Sequence, residues 1–246
     1  RDLHNYIKTK IISRVIGSSD FNDPLSILDM SCGRGGDNMK YLSTKNDVSL
    51  LVGLDISSNI NEAAQRFYYQ NKKKTKGLFL QYDTSKSIET KDGCLDNKEI
   101  CTTMIDMILG NNKSFDTKYK SIHKEYFSIA KSRFDIVSSQ FSLHYYFKDE
   151  DTLRGFLENI KSMCKSGGYF IGTCYDGMKV FKTFEEKKVN FIEMNDKFGS
   201  LVYRINKNYT LDDFKYNKND IDGMLGHEIE VYMSSIGQFI TEYLVN

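Results

Sequence analysis

The feature that most constrains this chain is a short apolar strand running directly into glycine. Ser26-Ile27-Leu28-Asp29-Met30 is followed by Ser31-Cys32-Gly33-Arg34-Gly35-Gly36-Asp37. An apolar run this short, without alternation, reads as a strand buried on both faces, which is the habit of parallel sheets covered by helices. Gly33, Gly35 and Gly36 permit a tight turn and keep side chains away from a ligand that must approach the backbone. Asn38 to Ser43 then opens a helix. On its own, a glycine-rich strand-to-helix turn suits NAD enzymes, methyltransferases and other nucleotide binders equally.

The rest of the chain repeats the same alternation. Residues 3 to 16 place Leu3, Ile7, Ile11, Ile12, Val15 and Ile16 near helical spacing and predict an amphipathic helix. Asp23-Pro24 breaks the chain. Further strands are expected at Ser49–Leu54, Leu78–Tyr82, Phe134–Ser139 and Tyr169–Thr173. Helices are expected at Asn59–Tyr69, Ile100–Leu109, Tyr119–Ala130 and Asp151–Cys164, the last ended by Gly167-Gly168. Strand and helix in turn are the sequence form of a doubly wound, mostly parallel sheet. After Lys188 the runs Val189–Met194, Leu201–Ile205 and Glu228–Met233 look strand-like, separated by loops such as Asn217–Asp222. They are expected to complete the sheet, with a β-rich lobe inserted near the C-terminus. The expected organisation is a single domain over 1–246: an N-terminal helix over 1–20, a core over 24–180, and the remaining strands and substrate lobe over 181–246.

Composition narrows the function classes. The net charge is +1 over 246 residues, so any polyanion site must be local. Tyr and Phe are abundant, 16 of each, and Trp is absent. These rings serve core packing or base stacking. The five cysteines, Cys32, Cys94, Cys101, Cys164 and Cys174, form no CxxC pair. Neither a zinc site nor a disulfide framework is expected, no metal is called for, and a reducing, cytoplasmic setting fits. No apolar run is long enough to span a bilayer, and no membrane partner is expected. The start at Arg1 reads as a domain cut from a longer polypeptide.

Two carboxylates give the glycine turn a chemistry. Asp55 ends the strand one βα unit later, where a carboxylate can accept hydrogen bonds from ribose hydroxyls; its alternative role is to cap the helix after Ser57 and Ser58. Asp83 ends the third strand and suits an adenine amino group, or a turn. The turn itself, SCGRGGD, departs from the dinucleotide pattern GxGxxG and closes on an acid. Directly after the fourth strand stands Gln140-Phe141-Ser142-Leu143-His144-Tyr145-Tyr146-Phe147. Ligands of open α/β sheets bind beyond the carboxyl ends of the strands, so Gln140, His144 and Tyr145 are placed to face a substrate.

Four separated blocks carry a family resemblance: Arg1-Asp2-Leu3-His4-Asn5-Tyr6-Ile7-Lys8, the LDMSCGRGGD turn, QFSLHYYF, and Glu242-Tyr243-Leu244-Val245. Together they resemble the mRNA cap guanine-N7 methyltransferases, most closely the methyltransferase domains of capping enzymes from large cytoplasmic DNA viruses. The resemblance covers nearly the whole chain. It implies a class I, Rossmann-like methyltransferase with a seven-stranded sheet and S-adenosyl-L-methionine as cofactor. The implied cofactor residues are Lys8, Asp29, Ser31, Gly33, Asp37, Asp55, Asp83, Gln140 and Tyr145. The implied cap residues are His4, Asn5, Phe141, His144 and Glu242, with His144, Tyr145 and Glu242 positioning guanine and no residue acting as acid or base. Lys8, Lys10, Arg14 and Arg34 are candidates for the cap's triphosphate. Two positions depart from the family pattern: His4 stands where an asparagine is usual, and Ser31 where a glycine is usual. The implied partners are the capped 5′ end of an mRNA and triphosphatase and guanylyltransferase domains of the same polypeptide. Two other readings share the fold signals, namely a methyltransferase for another RNA atom or a small molecule, and a non-catalytic methyltransferase-like subunit.

Overall fold

A computed structural model describes residues 2–18, 20–21, 24–111, 117–210, 214, 217 and 219–245. Arg1 of the first block, Asp23 of the Asp23-Pro24 break and Lys218 of the 217–222 loop lie outside them. The chain divides into two units, one of Asp2–Gln140 with Gly155–Gly172, the other of Phe141–Arg154 with Thr173–Asn246.

The first unit carries α1 (Asp2–Ile16), β1 (Leu25–Asp29), α2 (Asn38–Leu42), β2 (Val48–Asp55), α3 (Ile60–Gln70), β3 (Lys76–Gln81), α4 (Lys98–Leu109), α5 (Lys120–Tyr126) and β4 (Phe134–Gln140). Its five-stranded sheet has the order β3-β2-β1-β4-β5, where β5 is Cys164–Thr173. β1 pairs in parallel with β2 and with β4, and β2 with β3. Adjacent residues of a strand point to opposite faces, and both faces here are covered. Ile27 and Leu51 pack against Ile12, Ile16, Tyr41 and Phe67 from α1, α2 and α3. Leu28, Val52 and Leu54 face the other way, toward Ile105, Ile108 and Leu109 of α4 and Met163. That two-sided burial is why β1 shows no polar alternation. β3 is an edge strand, half-buried throughout.

The second unit carries α6 (Leu143–Tyr146), α8 (Gly177–Lys187), β6 (Phe191–Asn195), β7 (Leu201–Lys207), β8 (Glu228–Met233) and β9 (Phe239–Tyr243). Helix α7 (Glu150–Met163) begins in this unit and ends in the first. The four strands form a separate antiparallel sheet in the order β6-β7-β8-β9. Asp196 accepts the N–H groups of Phe198 (2.8 Å) and Ser200 (2.9 Å) and so tightens the β6–β7 turn. Asp176 caps α8 by accepting the Lys179 N–H (2.9 Å). The apolar stripe of α8, Phe181 and Phe184, packs with Tyr209, Phe214, Ile229 and Leu244.

Three expectations are corrected. The sheet expected to hold seven strands has five among the described residues, because the strands after Lys188 pair with one another in antiparallel succession and bury their apolar residues on their own helix. The segment 164–168, read as helix end and stop, already belongs to β5. Finally, Cys94 and Cys101 form a disulfide, with Cα atoms 6.0 Å apart. The spacing gave no sign of it because the loop after β3 folds back: Cys94 bridges to Tyr82, and seven residues later the first turn of α4 presents Cys101. Cys32, Cys164 and Cys174 are free thiols.

Candidate active site

In the first unit, β1, β2 and β4 end beside the glycine turn. Gly33 and Gly35 both take left-handed φ values, +52° and +72°. Their reasons differ. A Cβ on Gly35 would lie 2.9 Å from the Ala63 Cα and 2.6 Å from the Asn38 Nδ2, so that glycine seats the turn against α3. A Cβ on Gly33 would meet no atom within 4 Å; the space beside it is open. Asp55 spans this space. One oxygen accepts the Gly33 N–H (2.7 Å) and the other the Ser57 N–H (2.8 Å), so the acid both braces the glycine turn and starts the turn before α3. An ionised carboxylate offers about four acceptor positions, which leaves two for a diol.

Behind the turn lies an acidic cluster. Asp29 is buried; desolvation first, and then the charges of Asp37 and Asp55, raise its pKa to about 7. It accepts the Ser31 N–H (3.2 Å) and the Tyr41 hydroxyl (3.0 Å), and that hydroxyl also lies 2.8 Å from the Ser138 Oγ. Asp37 is clasped by Lys8 (2.8 Å) and Lys40 (2.7 Å). The Ser31 Oγ lies 3.3 Å from the Ser139 Oγ. Asp83 holds the Ser85 N–H (3.0 Å) and hydroxyl (2.7 Å) at the end of β3. Gln140 is buried and donates to the Ser138 Oγ (3.0 Å). Asp29, Asp37 and Asp55 thus gather beside the glycine turn, with the Asp37 charge balanced by the two lysines and Asp55 left with open acceptor positions. His4 and Asn5 sit in the exposed first half of α1, where Leu3 and Tyr6 also face solvent.

The second unit holds the other cluster. The backbone enters α6 through Phe141, a non-glycine residue at φ +55°, whose N–H reaches both the carbonyl (2.9 Å) and the hydroxyl (3.0 Å) of Thr173. Left-handed backbone at a bulky residue persists only where its surroundings fix it, here the two bonds to Thr173. The turn sets His144 inward and leaves Tyr145 half-exposed, with the two rings 4.3 Å apart. The His144 Nε2 lies 3.4 Å from the Glu242 Oε1, supplied by β9. Burial drives both groups toward neutrality, His144 down to about 4 and Glu242 up to about 7. Both ring nitrogens of His144 are buried without a hydrogen-bond partner. Orphaned buried nitrogens cost about 1–3 kcal/mol each, a cost that a ligand with matching groups relieves.

Tyr175 completes this cluster and was not expected from the sequence. Its ring lies 5.2 Å from that of His144, and its hydroxyl donates to the Tyr243 carbonyl. Burial, then the nearby Glu242, push its hydroxyl pKa upward. The available signal was positional: Tyr175 lies two residues past β5, beyond a carboxyl strand end. Tyr41 was missed for a different reason, since a tyrosine in a helix reads as packing until Asp29 is seen against it.

The profile of the mRNA (guanine-N(7))-methyltransferase domain matches residues 1–245. The chain belongs to this family. It is 29% identical over 255 residues to a probable mRNA-capping enzyme of Acanthamoeba polyphaga mimivirus, covering all of this chain and 19% of that protein. It is 24% identical over 247 residues to an mRNA cap guanine-N(7) methyltransferase of Cryptococcus neoformans, covering all of this chain and 32% of the relative. For the Candida glabrata enzyme of the same name the identity is 27% over 246 residues, covering all of this chain and 49% of the relative. The chain therefore spans half or less of these proteins. Family membership covers both clusters, and S-adenosyl-L-methionine is the family's methyl donor.

Proposed function

We propose that this chain transfers the methyl group of S-adenosyl-L-methionine to guanine N7 of the mRNA 5′ cap. The observation that carries the reading is the buried pair His144 and Glu242. They fall on the QFSLHYYF and EYLV blocks and present orphaned ring nitrogens beside a buried carboxyl. Guanine shows two donors on one edge, N1–H and the exocyclic amine, and an ionised Glu242 accepts both. His144, Tyr145 and Tyr175 supply polar and stacking contacts for the base, with Phe141 beside them; His4 and Asn5, on the first unit, are cap residues by family resemblance alone.

The residues of the first unit fit the methyl donor. Asp55 would hold the ribose diol with its remaining acceptor positions, and Asp83 the adenine. Gly33 leaves room at the backbone, and Lys8, Asp29, Ser31, Asp37 and Gln140 complete this unit's share; Tyr145, on the second unit, is a donor residue by family resemblance alone. The acidic cluster suits a sulfonium that also carries an ammonium group. When bound, the donor supplies an electrophilic methyl group with its own leaving group. Guanine N7 is unprotonated and nucleophilic at neutral pH, so the protein removes no proton. What its residues supply is orientation, which is worth several kcal/mol, up to about 7–11 in well-aligned systems.

Two variants test the reading. Asp55→Ala is expected to abolish binding of S-adenosylhomocysteine in a calorimeter. Glu242→Ala is expected to raise KM for a cap dinucleotide while leaving that binding intact. Near-normal methylation of capped RNA by both variants would refute the assignment; activity confined to a small molecule or another RNA atom would favour the alternative acceptor. The greater length of the relatives supports a further reading, that the chain works within a polypeptide that also carries triphosphatase and guanylyltransferase domains.

A further inference from the structure

The exposed face of α3 carries a basic and aromatic track that neither cluster uses. Ile60, Ala63 and Phe67 bury one side of the helix. Residues at spacings of three and four share the other side, which presents Asn61, Gln65, Tyr68 and Tyr69 to solvent. Tyr68 and Tyr69 are 77% and 79% exposed, with ring centres 5.5 Å apart. An isolated exposed tyrosine is ordinary, but these two, with ring planes at 75°, offer two separate exposed faces side by side at the end of a helix. The helix runs directly into Lys72-Lys73-Lys74, all exposed, with no acid between Arg66 and Lys76. Lys73 reaches Asp47 (3.1 Å), whereas Lys72 and Lys74 make no ion pair among the described residues. At the other end of α3, Arg66 (2.5 Å) and Arg34 of the glycine turn (3.6 Å) share the single carboxylate of Glu62. The track thus starts at the donor turn and follows α3 for about 16 Å, at 1.5 Å per residue.

We propose that this track binds the body of the RNA whose cap is methylated. The proposal rests on the function inferred above. The chemistry is that of sequence-tolerant single-strand binding: lysines and arginines along a phosphate backbone, with tyrosine rings on which bases stack. The balanced net charge of +1 makes this concentration of cations, five against the two acids Glu62 and Asp47, a local feature rather than a property of the whole surface. A role confined to complementing the α3 dipole would need one cation in the last turn and no aromatic pair.

The test compares wild type, Lys72→Glu/Lys74→Glu and Tyr68→Ala/Tyr69→Ala on two acceptors, a cap dinucleotide and a capped 30-nucleotide RNA. All four positions are exposed, so the fold is retained; circular dichroism and Tm check this. For each variant, KM for the capped RNA is expected to rise about tenfold or more, as the loss of one stacked base or two phosphate contacts implies. KM for the dinucleotide and kcat for both should stay unchanged, and the charge variant should show a shallower salt dependence. Unchanged KM for the RNA overturns the proposal, as does an equal rise for both acceptors. Inhibition of the wild type by polyglutamate as strong as by uncapped RNA of equal charge would assign the track to an acidic protein instead, and also overturns it. If neither acceptor is methylated, the functional reading has failed, and gel-shift binding of uncapped RNA by the same variants still decides on the track.

Discussion

Glu242 and His144 lie 3.4 Å apart, the distance of an ion pair, yet burial removes the charge from both. With Glu242 near 7 and His144 near 4, the pair is neutral at pH 6, and by pH 8 only the carboxylate has formed. A protonated carboxyl donates where guanine also donates, so under the proposed cap role the ionised form is the one that binds. KM for a cap dinucleotide is therefore expected to fall as pH rises from 6 to 8, levelling above about 7. Glu242→Gln replaces one acceptor oxygen by an amide donor; it should raise KM about tenfold, for a lost bond to a charged group of about 1.5–3 kcal/mol, and flatten the profile. A pH profile that survives in the Gln variant would remove Glu242 from this role. Asp29 makes the parallel case for the donor. Its pKa near 7 reflects burial beside two other acids, and a cationic ligand favours its ionised form. S-adenosylmethionine is thus expected to bind more tightly at pH 8 than at pH 6, with proton release visible as a buffer-dependent heat, and Asp29→Asn should abolish that release. At this scale the sequence was informative wherever a motif fixed the residue, as with Asp55, His144 and Glu242. It was silent where no motif marks the partner, as with Tyr41 against Asp29, a helix tyrosine that reads as packing, and Tyr175 against His144, which lie on separate segments.

Among the elements, the parallel sheet was legible because two-sided burial leaves a mark in the sequence. β1, β2 and β4 are buried runs, and an acid closes two of them, Asp29 on β1 and Asp55 on β2. The antiparallel sheet left a weaker mark. β6 to β9 are half-exposed, and strand propensity without burial does not say which sheet a strand joins. β9 was read only as a motif, and α8 escaped notice although Phe181 and Phe184 after Asp176 carry its signature. The glycine turn gives the sharpest test of element-level reasoning. Gly33 and Gly35 are two residues apart and both left-handed, but only Gly35 is packed. Gly35→Ala must strain the backbone and displace Ala63 of α3, about 2–4 kcal/mol together, and should lower Tm by roughly 5–10 °C. Gly33→Ala meets only the left-handed penalty of about 1–2 kcal/mol, so its Tm should fall far less. Its methyl group projects into the open space beside Asp55, and donor binding should weaken severalfold. Equal thermal shifts for the two variants would contradict this division of roles.

For the molecule as a whole, the same shifted groups set how stability responds to pH. Asp29 and Glu242 have native pKa values raised to about 7, so the folded chain holds protons that the unfolded chain releases at lower pH. Their contribution is present in full below the unfolded carboxyl range and is lost as pH rises through about 7. His144 acts in the opposite direction. Its native pKa is lowered to about 4, so its contribution is present above about 6.5 and is lost as pH falls toward 4. Between pH 8 and pH 6 each carboxyl gains about one pK unit of linkage, roughly 1–2 kcal/mol, while His144 gives back roughly half that amount. The balance leaves the ligand-free protein about 2 kcal/mol more stable at pH 6 than at pH 8, a rise in Tm of roughly 4–8 °C for a chain of this size. The proposed function runs the other way, since in that reading both ligands call for ionised Asp29 and Glu242. The experiment is a pair of thermal melts across this range, with and without saturating S-adenosylmethionine and cap dinucleotide. Ligand-free Tm should decline from pH 6 to pH 8 while the stabilisation given by the ligands grows. A ligand-free Tm that climbs with pH over this window would mean that the two buried acids are already ionised in the free protein.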